Sequence, residues 1–258
     1  MSWASRRRTV YTIGIVIFFA LVIGVPLERY LNQPPTCTDG IQNQGETAPD
    51  KGGPCPIFDE RTLAPSSVMW TRSFKVRGGS YNATAYIENP NDNAGVRAAQ
   101  YRFGLYDGQN VLVAERTGTT FIMPGSITPV FEANIDTGNR DVAHTYFEFT
   151  RPLVWEHLQN PASAITISNR EMSNLNAGPR VTATAENTSV APLTGVSFVA
   201  IVFSPAGNAR AASQTALSRL NSGERQQITF TWPDPFGTQV GRVDIVPLMA
   251  PVSAPASR

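Results

Sequence analysis

Two cysteines, two histidines and a few clustered carboxylates are the residues of this 258-residue chain whose types could do chemistry. Cys37 and Cys55 bracket the loop CTDGIQNQGETAPDKGGPC, where Asp39, Asn43, Glu46 and Asp50 carry the side-chain oxygens that a hard cation such as calcium prefers. Their spacing does not match an EF-hand loop, so these four stand as calcium candidates against the plainer reading of a structural spacer. His144 and His157 have no HExxH pattern and no close His, Cys or Asp cluster, as expected of ordinary surface or edge histidines. Asp59 and Glu60 adjoin each other in a predicted loop with no visible pocket. There is no G-x-S-x-G elbow and no P-loop, and Gly78-Gly79 precedes a strand pattern, which makes it a turn. The expectation is a protein that is not an enzyme, with no catalytic residue and no cofactor.

The elements that hold these residues begin with an apolar segment. Residues 9–27 are uncharged, and at about 1.5 Å per residue they reach roughly 29 Å, enough for one bilayer crossing. Arg6, Arg7 and Arg8 precede them, leaving 18 basic against 20 acidic residues downstream. A basic stub over 1–9 should stay cytoplasmic and a transmembrane helix over 10–27 should engage the lipid bilayer, sending the C-terminus outside the cytoplasm. The competing reading is a cleaved signal peptide, but Gly24, Val25, Pro26 and Leu27 offer no good A-x-A site. Both readings place the chain from about residue 28 onward in an oxidising compartment. There an even pair of cysteines reads as a disulfide, Cys37 to Cys55, closing about 19 residues and worth about 3 kcal/mol. A net charge of +1 provides no global field for nucleic acid.

The loop over 28–62 also resembles a small cysteine motif of extracellular bacterial proteins, C-x-D-G-x-x-N-x-x-E-x-x-x-D-C-G-G-x-C-x-x-C. Lys51 and Phe58 stand where that motif has its other two cysteines. The resemblance implies that Cys37 and Cys55 are bonded to one another.

Beyond the loop, an internal repeat dominates. Glu88-Asn89 recurs as Glu186-Asn187, Tyr106 as Phe203, Gly125 as Gly223 and Glu148 as Asp244, at offsets of 98, 97, 98 and 96 residues. Tyr81, Ala83, Ala85 and Ile87 alternate with Asn82, Thr84, Tyr86 and Glu88, and Val181, Ala183 and Ala185 do the same, the period of half-buried strands. Tyr101, Phe103 and Leu105 correspond to Phe198, Ala200 and Val202. Further strands are predicted at 130–135, 143–149, 228–232 and 240–246. With 20 Gly and 20 Pro supplying turns, this predicts an all-β fold. It would comprise two tandem immunoglobulin-like β-sandwiches of about seven strands each, over 63–152 and 163–248. Trp70, Trp155 and Trp232 are expected to pack in cores or between domains. The segment 151–163, with two prolines, reads as a short linker that makes a semi-rigid rod, and 249–258 as a disordered tail. Arg72, Lys75 and Arg77 would form a positive strand edge. Asn82 and Asn187 stand in glycosylation sequons that are expected to be unmodified in a bacterium.

At FGLYD, residues 103–107, the sequence resembles the FxLYD family of immunoglobulin-like domains from bacterial extracellular proteins, a likeness running over 81–149 and weaker in the second copy. The whole arrangement is similar to uncharacterised membrane proteins of small-genome bacteria. The resemblance implies a single-pass protein that presents its sandwiches to an envelope protein, a surface polymer or another copy of itself, through loops such as 89–95 and 207–210. Two other roles compete with it: an accessory subunit recognised through its anchor helix, and a metal-dependent surface enzyme.

Overall fold

The computed structural model describes residues 3–31, 36–237 and 239–254, in two compact units, Met1–Cys55 and Pro56–Arg258. In the first unit, α1 (Trp3–Leu31) is one helix whose apolar stretch Arg8–Glu28 spans 21 residues, about 32 Å. It therefore extends beyond the expected 10–27 at both ends, because no residue in the flanking turns opposes helix. Pro26 lies inside it. After it, Cys37 and Cys55 are disulfide-bonded with their Cα atoms 5.4 Å apart.

The second unit is built from sheets. The first sandwich pairs β1 (Ser67–Arg77), β2 (Ser80–Asn89) and β5 (Ser126–Asp136) in the order β1-β2-β5. Its facing sheet has β3 (Ala94–Tyr106) between β4 (Leu112–Ile122) and β6 (His144–Phe149). Then comes β7 (Glu156–Gln159). The second sandwich repeats the strand order: β8 (Ile165–Ser173), β9 (Arg180–Asn187) and β12 (Arg225–Thr231) form β12-β9-β8. Opposite it, β10 (Leu193–Phe203) lies between β11 (Ala209–Leu220) and β13 (Arg242–Leu248). Each sandwich thus has six strands of its own among the described residues, where about seven were expected. Glu88-Asn89 and Glu186-Asn187 end β2 and β9, Tyr106 and Phe203 end β3 and β10, and Glu148 and Asp244 lie on β6 and β13.

The end of β2 shows why an asparagine stands there. Asn89 is buried where the chain crosses to the facing sheet, and its Nδ2 donates to Ala94 O at 2.7 Å and Met123 O at 2.9 Å. Asn187, at the end of β9, donates to Ala191 O at 2.8 Å and Leu220 O at 3.0 Å. In both, Oδ1 accepts the backbone N–H two residues on, from Asn91 and Ser189. One amide thereby satisfies backbone groups that the crossover takes away from any ladder.

The expected linker and rod are corrected. Pro152 has no N–H to continue the β6 ladder, so the chain bulges outward and β7 resumes the same side of β3, with Ala94 opposite His157. Trp155 is buried in the first core as part of this return. On the free side of β7, residues 56–58 pair at one end, with Phe58 N donating to Trp155 O and His157 N to Pro56 O. β14 (Val252–Ser253) pairs at the other end, opposite Gln159 and Leu158. Part of the expected disordered tail is thus ordered by the open edge of β7. Residues 255–258 of that tail lie outside the described residues.

Three apolar clusters result. Phe103, Leu105, Ile87 and Ile122 fill the first sandwich; Phe198, Val202, Ile228 and Phe230 fill the second. The third lies between the sandwiches, where Phe74, Tyr86 and Phe131 of the first meet Val199, Ile201 and Phe203 of the second. Trp70 stacks on Tyr86 at 5.0 Å, and Arg242 lies 4.0 Å over the Phe203 ring. Burial is the chief cause that pushes the Tyr86 phenol up to about 12. The sheets stack four deep, so β2 and β10 are buried on both faces, which replaces a rod of two separate domains by one body.

Candidate functional site

The carboxylates of the Cys loop point at backbone donors. Asp39 accepts from Ile41 N at 2.9 Å, Thr36 N at 3.1 Å and Asn43 Nδ2 at 3.1 Å, and these bonds hold its carboxyl below the usual range. Asp50 takes Gly40 N with both oxygens, at 3.0 and 3.2 Å. Glu46 is buried, with Oε2 accepting from Asn43 N and Asp50 N at 3.2 Å each and Oε1 lying 2.9 Å from Cys55 Sγ. Among the described residues, the one convergent set of His, Cys, Asp or Glu ligand atoms is Cys37, Glu46 and Cys55. Its two sulfurs are bonded to each other and offer no thiolate. The structure therefore uses Asp39, Glu46 and Asp50 as ties that close the loop; they do not converge on one another. Asn43 Oδ1 is buried without a hydrogen-bond partner among the described residues.

The two histidines differ. His144 opens β6 and is exposed, as expected. His157 lies on β7, half-buried, with its ring 3.7 Å from that of Phe58, and burial lowers its pKa from 6.5. Its Nε2 has no hydrogen-bond partner among the described residues. Asp59 is buried as the cap of a 3-10 turn, Glu60–Thr62, and pairs with Arg61. At the strand edge expected to be positive, Arg72 donates to Ala209 O across the seam at 2.8 Å, and Lys75 pairs with Asp141 at 2.7 Å. The two expected contact loops are also tied down. Asn91 exchanges two hydrogen bonds with Ala64, Leu158 N donates to Asn93 O, and Ala209 is buried in the seam.

The open chemistry of the second unit lies in a cleft of about 330 Å³ where the third core reaches the surface. Phe74 and Phe131 of the first sandwich and Ala211, Ala212 and Trp232 of the second form its floor. The β12–β13 connection, Trp232-Pro233-Asp234-Pro235-Phe236, rises along one side, with the Phe236 ring edge-on to Trp232 at 5.1 Å. A shift in the β2–β5 register after Tyr81 leads into Asn134, which adopts φ 55° and donates its backbone N–H to Asn82 Oδ1 at 3.0 Å. Such an irregularity re-aims a side chain at a sheet edge, and here it sets Asn134 on the rim. Asn82 and Trp232 both donate to Ala212 O, at 3.3 Å each. Arg210 and Asp234, also on the rim, are exposed and have no salt-bridge partner among the described residues. Pro235 and Phe236 line a second cavity as well, of about 460 Å³, with Met172, Leu175 and Val240. Of the rim residues Asn134, Arg210 and Asp234, the sequence singles out Arg210 alone, as the end of the expected contact loop 207–210. The available signal was a pair of prolines around one aspartate, flanked by two aromatics in a loop, W-P-D-P-F-G.

No protein-family model matches the chain, and no curated protein matches it. Among solved structures, red sea bream transglutaminase is similar at 9% identity over 73% of this chain and 30% of that one, with a TM-score of 0.23. A Bacteroides uniformis β-glucuronidase is similar at 13% identity over 60% of this chain and 22% of the other, TM-score 0.20. A β-glucuronidase of glycoside hydrolase family 2 gives 10%, 84%, 29% and 0.24. The chain spans less than a third of the length of each of these enzymes, and at such scores the likenesses carry no argument about its activity.

Proposed function

We propose that this chain is a single-pass membrane protein, with its N-terminus cytoplasmic, that displays two copies of one FxLYD-like sandwich outside the cytoplasm as a non-enzymatic binding or scaffolding body. The observation that carries this reading is the order of an apolar helix and a disulfide-closed loop ahead of the sheets: Arg8–Glu28 is long enough to cross, and Cys37–Cys55 is a bond that an oxidising compartment maintains. Arg6, Arg7 and Arg8 on the near side favour the orientation. Matching strand orders and the paired Asn89 and Asn187 ties support the reading of two copies. The partner is an envelope protein or surface polymer met by the second unit.

Cells expressing the full chain test this. Carbonate washing should leave the protein in the membrane, and protease added to intact spheroplasts should degrade the second unit; release by carbonate, or full protection, would overturn the reading. Replacing residues 10–27 by an unrelated apolar helix should leave crosslinked partners unchanged. Loss of those partners would instead favour recognition through the anchor.

A further inference from the structure

In the seam cleft half-buried aromatic surface, amides and charges of both signs meet, and this lining narrows the class of ligand. Phe131 and Phe236 are half-buried and provide apolar ring surface, with the buried Trp232 behind Phe236; Asn134 and Gln214 add amides at the rim. A peptide strand would dock by extending the β11 edge. That edge is already capped, because Arg72 takes Ala209 O while Asn82 and Trp232 take Ala212 O. A phosphate or other anion needs a cluster of free cations, and among the described residues the rim has Arg210 alone, since Lys75 is paired with Asp141. Arg210 and Asp234 together balance to zero charge. Flat C–H faces with hydroxyls around their edges, uncharged overall, answer all of these features. The neighbouring cavity that shares Pro235 and Phe236 gives such a ligand room to continue.

We propose that the cleft over residues 211–213 binds a neutral saccharide chain, one ring against Phe236 and its hydroxyls on Asn134, Arg210 and Asp234, the chain running on past Phe236 toward Met172. This deepens the display reading and rests on it, by giving the surface partner a chemical class.

The test is calorimetric titration of the full chain in lipid nanodiscs with chitohexaose, cellohexaose and maltohexaose, each to millimolar concentration. At least one should bind saturably. Phe236→Ala should weaken that binding about tenfold or more. Asn134→Gly, which removes the amide but keeps a left-handed backbone conformation, should do so without lowering the melting temperature by more than about 2 °C. Tyr146→Ala, on the exposed face of β6, should change nothing. Absence of saturable binding by all three probes overturns the proposal, as does binding that both cleft variants leave intact. A crosslinked envelope protein that contacts the cleft in place of a saccharide overturns it too, while leaving the display reading standing. Failure of the protease and carbonate results would bring down the display reading instead.

Discussion

Asn89 and Asn187 each hold two backbone carbonyls at the crossover, of which Ala191 O also accepts from Ser189 Oγ. Asn187→Ala should therefore destabilise the second unit by roughly 2–4 kcal/mol in chemical denaturation. Asn187→Asp, which keeps the size but loses both amide hydrogens, should be at least as damaging; a loss under about 0.5 kcal/mol for either would show that the ties are incidental. In the sequence both residues were legible as landmarks of a repeat, and Asn187 also as a sequon, while their role depended on which carbonyls the crossover brings to them. His157 makes a pH-dependent contribution. Burial lowers its folded pKa from 6.5, so the unfolded chain takes up the proton first as pH falls. The associated stability is fully present above about pH 6.5 and is lost as pH drops through that value toward the lowered folded one. Compared at about pH 8 and about pH 5, the melting-temperature difference between the native protein and His157→Gln should shrink or reverse at the acid end. Parallel curves would sink the idea.

At the level of elements, β2 and β10 explain both what could be read and what could not. Alternation in 81–87 locates one core face correctly, with Tyr81, Ala83, Ala85 and Ile87 in the first core. The opposite face was expected to be solvated, yet Tyr86 and Thr84 are buried against the second sandwich. A continuous apolar run, Phe198 to Phe203, is the pattern of a strand covered on both faces, and β10 is that strand. Thr84 Oγ1 has no hydrogen-bond partner among the described residues. Thr84→Val, of the same shape, should therefore raise stability by about 1 kcal/mol in urea titration, and a loss would show that the hydroxyl finds a partner in solution. The Cys loop is an element whose order depends on its bond and its carboxylate ties. Mild reduction, which removes about 3 kcal/mol of loop closure, should open the peptide bonds of residues 38–54 to limited proteolysis while the sheet circular dichroism stays unchanged. Equal resistance before and after reduction would show that the Asp39, Glu46 and Asp50 ties suffice.

For the whole second unit, the third core and the β7 clasp join the sandwiches. Residues 56–58 and β14 both pair with β7, so the segment that enters this unit and the one near its end close on the same strand. Calorimetry should accordingly show one unfolding transition for both sandwiches, and Ile201→Asp in the third core should lower its midpoint or split it in two. Two transitions in the native protein would mean that the seam adds little. By itself the sequence determined the apolar helix, the cysteine pair, the all-β class and the positions of several strands in each sandwich, because apolar runs, period-two alternation and turn residues are local signals. Tertiary structure alone decided that the supposed linker is a strand, that the far faces of β2 and β10 form a core, and that Asn134, Arg210, Asp234 and Phe236 surround one cleft. Those outcomes depend on which surfaces meet between segments far apart in the chain, and no short-range pattern carries that information.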